Sequence, residues 1–227
     1  MSIVQVTGLT RTYKQGSLEV HALRGVDLSI EPGEFTVLMG PSGSGKTTLL
    51  NQIGALDVPD SGSVKVEGRE LGGMSAAELA RLRLERLGFV FQAFNLIPVL
   101  SAYENAEFVL LMQGVGADER KQRVMQTLAS VGLEGMEGRR PNELSGGQQQ
   151  RVAVARAIAG KPALVLADEP TANLDSKTGY ELIETMKTLN ETQGVTFVFA
   201  THDPKVMEHA KRIVRLVDGK IVEDERR

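Results

Sequence analysis

The sequence predicts an α/β fold: a mainly parallel sheet carrying helices, an antiparallel β portion at the N-terminal end, and an inserted helical segment. Three observations predict it. Short, mostly apolar runs at Phe35 to Met39, Ala163 to Ala167 and Val195 to Ala200 have the pattern of strands buried on both faces. Helix-compatible stretches separate them, and strand–helix alternation is the mark of a parallel sheet. The 227 residues, 41% hydrophobic and 24% charged, suffice for one well-buried core and fit one domain with an insertion better than two.

Along the chain, Ile3, Val4, Val6 and Leu9 mark an opening strand, and Val26, Leu28 and Ile30 alternate with polar residues as in a half-buried one. Pro32-Gly33 is a turn. Phe35 to Met39 runs into a glycine-rich loop and then a helix from Lys46 to Gln52. Pro59-Asp60-Ser61-Gly62 turns the chain before Val64 and Val66 resume alternation. Ser75-Ala76-Ala77-Glu78 and Ser101-Ala102-Tyr103-Glu104 are capping boxes, each opening a helix. Gly88 to Phe91 is a strand, and Asp118 to Val131 is helical, ending near Gly132. The chain thus reads as one domain, residues 1–227, with a core from 1–92 and 141–227 and a helical subdomain at 93–140. Gln148 to Ala159 and Ser176 to Glu191 are further helices. Ile213 to Val217 is a strand, and Asp218-Gly219 turns a hairpin before Ile221.

Composition excludes several chemistries. The formal net charge is −3, where a chain living on nucleic acid would show a basic excess. No Cys is present, so disulfides, thiolate metal sites and Cys nucleophiles are excluded. Met1 to Gln5 lacks a basic region leading into an apolar one, so no secretory leader is expected. No apolar run approaches the roughly 20 residues that span a bilayer, so work at a membrane requires another chain.

Two motifs carry phosphate chemistry. Gly40-Pro41-Ser42-Gly43-Ser44-Gly45-Lys46-Thr47, with Thr48 behind it, sits between a strand and a helix. Its glycines let several backbone N–H groups face one point, and the helix adds its positive end. Lys46 can reach β- and γ-phosphates, and the Thr47 hydroxyl can ligate Mg²⁺. Downstream, Leu164 to Ala167 delivers Asp168 and Glu169 at a strand's C-terminal end, where ligands bind in α/β sheets. Asp168 is suited to hold Mg²⁺ and Glu169 to deprotonate an attacking water. The pair defines a P-loop NTPase core. No Asn-Lys-x-Asp guanine-reading string occurs, which favours adenine nucleotide.

Leu144-Ser145-Gly146-Gly147-Gln148 narrows the reading. With this pentapeptide the chain resembles the ABC ATPase family over essentially its whole length. The resemblance implies that Tyr13 stacks on adenine, that Gln92 is the Q-loop residue and a Mg²⁺ ligand, that Asp175 belongs to the D-loop, and that His202 is a catalytic H-loop residue beside Glu169 and Lys46. Read from its residues, the pentapeptide is a second anion-binding helix start, with a plain Ser N-cap as the alternative. The resemblance implies a head-to-tail homodimer in which Ser145 and Gly147 of one copy close over ATP held by Lys46 of the other. It also implies an integral membrane permease as partner, no nucleic acid, and a cytoplasmic place on the inner face of the membrane.

Gly16 to Leu23, a slightly extended first hairpin, with Leu49 to Asp57 and Gly88 to Pro98, resemble the LolD/MacB-type subgroup, which serves lipoprotein release and efflux. A regulatory clamp driven by the same engine is a second reading; a soluble nucleic-acid machine is a third, disfavoured because the chain has no sustained heptads and only one such unit. Phe91, Phe94, Leu96, Ile97, Val99 and Leu100 cluster after Gln92. They read as core of the insertion or, for some of them, as a groove for a short helix of the permease.

Overall fold

The computed structural model describes residues 2–16 and 18–227, the side chains of Gln15 and Lys205 excepted. Met1 and Ser17, which belong to two of the strings read above, lie outside the described residues.

Two sheets form. The first is antiparallel, with order β2-β1-β4-β5, from β1 (Val4–Gln15), β2 (Leu18–Ile30), β4 (Ser61–Val66) and β5 (Arg69–Glu70). The second has order β10-β9-β3-β8-β7-β6. Its strands are β3 (Phe35–Met39), β6 (Leu87–Phe91), β7 (Leu164–Asp168), β8 (Phe197–Ala200), β9 (Arg212–Val217) and β10 (Lys220–Arg226). All its pairings are parallel except the β9–β10 hairpin. That hairpin turns on Asp218 and Gly219, both at positive φ. β3, β7 and β8 are buried along almost their whole length, which is why their sequences are continuous rather than alternating.

The helices are α1 (Lys46–Ile53), α2 (Ala76–Arg86), α3 (Ala102–Met112), α4 (Ala117–Ser130), α5 (Gly146–Ala159), α6 (Ser176–Gln193) and α7 (Pro204–His209). Ser75 and Ser101 cap α2 and α3 in full capping boxes with Glu78 and Glu104. One apolar layer joins the parallel sheet to α3–α6; within it Phe197 and Phe199 stack and Phe35 packs tilted against both. The other layer packs the antiparallel sheet and α1 on the opposite face. β2 is longer than the sequence pattern marks. Its first half is exposed, Leu18 at 69%, and is strand because it pairs with β1.

The topology sets the site. β3, β8, β7 and β6 lie side by side and parallel. Their C-terminal ends, carrying the glycine-rich loop, His202, Asp168 with Glu169, and Gln92, therefore share one edge of the sheet.

Candidate active site

The loop after β3 lines the head of the first helix, and its glycines set its path. Gly40 has φ 153° and Gly45 φ 103°. A Cβ on Gly40 would lie 2.2 Å from the Leu216 carbonyl oxygen, and one on Gly45 2.5 Å from that of Ala22, so only glycine closes this loop. Lys46 folds back across it, its ammonium donating to the carbonyls of Gly40 (2.8 Å) and Pro41 (3.0 Å). The Ser44 hydroxyl is buried with no hydrogen-bond partner among the described residues.

Across from the loop, the Thr47 hydroxyl donates to Asp168 at 3.1 Å. Burial pushes the Asp168 carboxyl above the usual range; the Thr47 bond opposes this and the neighbouring Glu169 adds to it. Glu169 itself sits at φ 44°, a left-handed conformation that costs a non-glycine residue about 1 kcal/mol or more. Its backbone N–H donates to Ala200. Its carboxylate accepts from the Thr201 hydroxyl (2.8 Å) and lies 2.7 Å from His202 Nδ1. Gln92 is tied to Asn173 twice: its amide donates to the Asn173 side chain, and the Asn173 amide donates to its backbone carbonyl.

Several of these groups border one cavity of about 670 Å³, lined by Tyr13, Val20, Ala22, Gly40, Pro41, Ser42, Gly43, Ser44, Gly45, Lys46, Thr47, Thr48, Gln92, Glu169, Ala172 and His202; Asp168 stands behind it, on Thr47. The size suits a small-molecule ligand. The donors are those a nucleoside triphosphate asks for: backbone amides and an ammonium for phosphates, a ring for a base. The unpartnered Ser44 hydroxyl lies in the same loop. A hydroxyl bonded to a carboxylate, with the Gln92 amide on the same cavity, is an all-oxygen donor set that fits Mg²⁺ shared with phosphate oxygens.

The pentapeptide lies elsewhere. None of Leu144, Ser145, Gly146, Gly147 and Gln148 lines this cavity. Ser145 caps α5, its hydroxyl accepting from the Gln148 N–H while the Gln148 side chain accepts from the Ser145 N–H. Asp175 caps α6 and lines an adjoining cavity of about 440 Å³ that also touches Glu169 and His202.

Some residues of this constellation escaped the sequence reading. Thr201, which holds Glu169, is the neighbour of His202 and was findable there. Gln150 is fully buried on α5, donating to the carbonyls of Phe91 and Pro170, one residue before Gln92 and one after Glu169. Its signal was a polar residue on the buried stripe of a helix. The apolar cluster after Gln92 divides. Phe91 lines a groove of about 390 Å³ with Leu56, Leu84, Leu87, Phe89 and Val109, whereas Leu96 packs on the core and Val99 is exposed.

Residues 23–172 match the family model described as ABC transporter. The chain belongs to the ABC transporter family. It is an ATPase of that family: an ATP-binding, ATP-hydrolysing transporter subunit. It is 47% identical to an uncharacterised ABC transporter ATP-binding protein of Thermotoga maritima over 99% of this chain and 96% of that protein. It is 45% identical to the macrolide export ATP-binding/permease protein MacB of Marinobacter nauticus, over 98% of this chain but 34% of that protein. The MacB side of the subgroup resemblance is thereby met. Among solved structures it is similar to the ATP-binding cassette MJ0796 of Methanocaldococcus jannaschii, a dimer in a post-hydrolysis state bound to ADP and Pi. That likeness has a TM-score of 0.90 and 46% identity over 98% of each chain.

Proposed function

We propose that two copies of this ATPase close head to tail on two ATP molecules and pass that motion to an integral membrane permease of the efflux or lipoprotein-release type. One observation carries the reading. The chain holds two glycine-flanked helix starts of the kind that can receive phosphate, at Lys46 and at Gly146, and only the first borders the cavity. A single nucleotide uses both when they come from different copies. The solved relative, dimeric with ADP and Pi bound, supports pairing of two copies.

The chemistry follows from the side chains. On nucleotide arrival, Lys46 exchanges its two loop carbonyls for β- and γ-phosphate oxygens, while the loop amides and the α1 N-terminus hold the rest. Thr47, Asp168 and Gln92 would hold Mg²⁺, which neutralises charge across the β- and γ-phosphates. Glu169 accepts a proton from water as the water oxygen bonds to the γ-phosphorus and the bond to the bridging oxygen breaks, leaving ADP and phosphate. Thr201 aims the carboxylate, and His202 reaches between it and the γ-phosphate. Ser145 and Gly147 of the partner subunit complete the pocket. Tyr13 takes the adenine, and Asp175 faces the dimer interface.

The chain would sit on the inner face of the membrane, in the cytoplasm, held by the permease. The MacB relatives support this, being ATP-binding and permease proteins in one chain. No helix among the described residues is long and apolar enough to cross a membrane. The groove at Phe89 and Phe91, beside Gln92, is where we seat the permease's helix. Light scattering tests the dimer. The Glu169→Gln protein should be monomeric without ATP and dimeric with it, because nucleotide that is not hydrolysed keeps the copies closed. A Glu169→Gln protein that stays monomeric with saturating ATP would contradict the proposal.

A further inference from the structure

Tyr13 stands on the exposed end of the β1–β2 hairpin, where a ring would ordinarily sample several positions. Here it is held. Its hydroxyl donates to Asp57 Oδ2 at 2.7 Å. Asp57 lies 44 residues on, just beyond α1, and its carboxylate is itself fixed from several sides. Arg11 grips it as a fork, Nε to Oδ2 at 2.9 Å and Nη2 to Oδ1 at 2.7 Å. The buried Gln52 of α1 donates to Oδ2 at 3.2 Å, and the Val58 N–H to Oδ1 at 2.8 Å. Arg11 also bonds Asp60, which accepts from the Thr12 N–H. The Arg11 guanidinium lies 4.7 Å from the centre of the Tyr13 ring, covering one of its two faces.

We propose that Asp57, clamped by Arg11 and Gln52, is a positioning residue for the nucleotide base: it locks the Tyr13 ring to the helix that carries the phosphate loop. The proposal rests on the reading of Tyr13 as the adenine platform and names what sets that platform in place. The cation occupies one face of the ring, so the base takes the other. Gln52 stands on the same helix as Lys46 and Thr47, so ring and phosphate cradle are registered to one rigid element. A platform fixed before the ligand arrives loses no rotamer freedom on binding, and that preorganisation appears as affinity for the base part of the ligand alone. Burial works against ionised Asp57, yet bonds from Tyr13, the Val58 N–H and Arg11 hold its carboxyl below the ordinary range, so the anion is kept at neutral pH.

The test compares a ligand that has a base with one that does not. Calorimetry would measure Kd for ATP and for inorganic tripolyphosphate, both with Mg²⁺, on the full chain and on Tyr13→Ala, Tyr13→Phe and Asp57→Ala. Tyr13→Phe removes one hydroxyl and leaves the Arg11–Asp57 fork intact, so it serves if Asp57→Ala fails to fold. We expect Tyr13→Phe and Asp57→Ala to weaken ATP by about three- to tenfold, part of the stacking contribution, with tripolyphosphate unchanged within about twofold. If Tyr13→Ala weakens ATP while Tyr13→Phe and Asp57→Ala do not, the clamp is overturned and the platform reading stands. If Tyr13→Ala leaves ATP unchanged, the platform reading falls and the clamp with it. If both ligands weaken together, Asp57 is structural and the proposal is overturned.

Discussion

Glu169 is held in place by contacts that cost backbone strain. Its φ of 44° turns the side chain away from the strand direction and into reach of Thr201 and His202. Such conformations persist where surrounding contacts over-determine them, and they collect at functional sites. Replacing Glu169 by Gln should lower turnover by about 10²–10⁴, the range for a lost general base. Thr201→Val should cost less, about tenfold, because it removes one hydrogen bond to the carboxylate and leaves the base itself. Steady-state turnover on the two variants checks the order; Thr201→Val at the wild-type rate would remove Thr201 from the account. The identity of Asp168 and Glu169 was legible from a buried strand ending in two carboxylates. The turn at Glu169 was not, since no local pattern marks a positive φ on a glutamate. Nor was the Tyr13–Asp57 bond, whose partners are 44 residues apart and meet only when the first sheet docks on α1.

At the scale of elements, α5 and α6 meet at their N-terminal ends. A Cβ on Gly147 would lie 2.1 Å from the Thr178 methyl, and the Thr178 hydroxyl donates to Asp175 at 2.5 Å. The pentapeptide and the Asp175 turn are therefore packed into one unit within a single chain. Gly147→Ala should lower stability by about 1–3 kcal/mol through overpacking. Thr178→Ser deletes the obstructing methyl but keeps the hydroxyl, so the double variant should regain much of the loss in denaturant unfolding. No recovery would mean the contact is not what makes the site intolerant. Elements defined by burial were read from sequence with good bounds: β3, β7, β8 and the capped starts of α2 and α3 stand where apolar runs and Ser-x-x-Glu strings put them. The outer half of β2 was legible only as part of an extended first hairpin, because pairing with β1 rather than burial makes it a strand.

Across the whole molecule, one buried cation ties the two sheets. Arg212, 5% exposed on β9, forks onto Asp224 of β10, bonds Glu34, and donates to the Ser29 carbonyl of β2. The Arg212 bond holds the Asp224 carboxyl below its ordinary range. A depressed carboxylate stabilises the fold at every pH above the unfolded value, about 4, and loses that contribution as pH falls through its lower folded value. Asp224→Asn should therefore lower Tm at pH 7, with the gap to wild type closing below about pH 4. A gap independent of pH would assign the effect to shape rather than charge. The larger claim concerns two molecules. The phosphate cradle and the second helix start lie apart in one chain, and the proposed mechanism needs both at one nucleotide. Mixing a Lys46→Ala copy with a Ser145→Arg copy tests this directly, because only the mixed pair can assemble one intact pocket. ATPase activity is expected in the mixture where each variant alone has none. A mixture that stays inactive while both variants fold and pair, or a strictly monomeric form turning over ATP at the full rate, would contradict that mechanism.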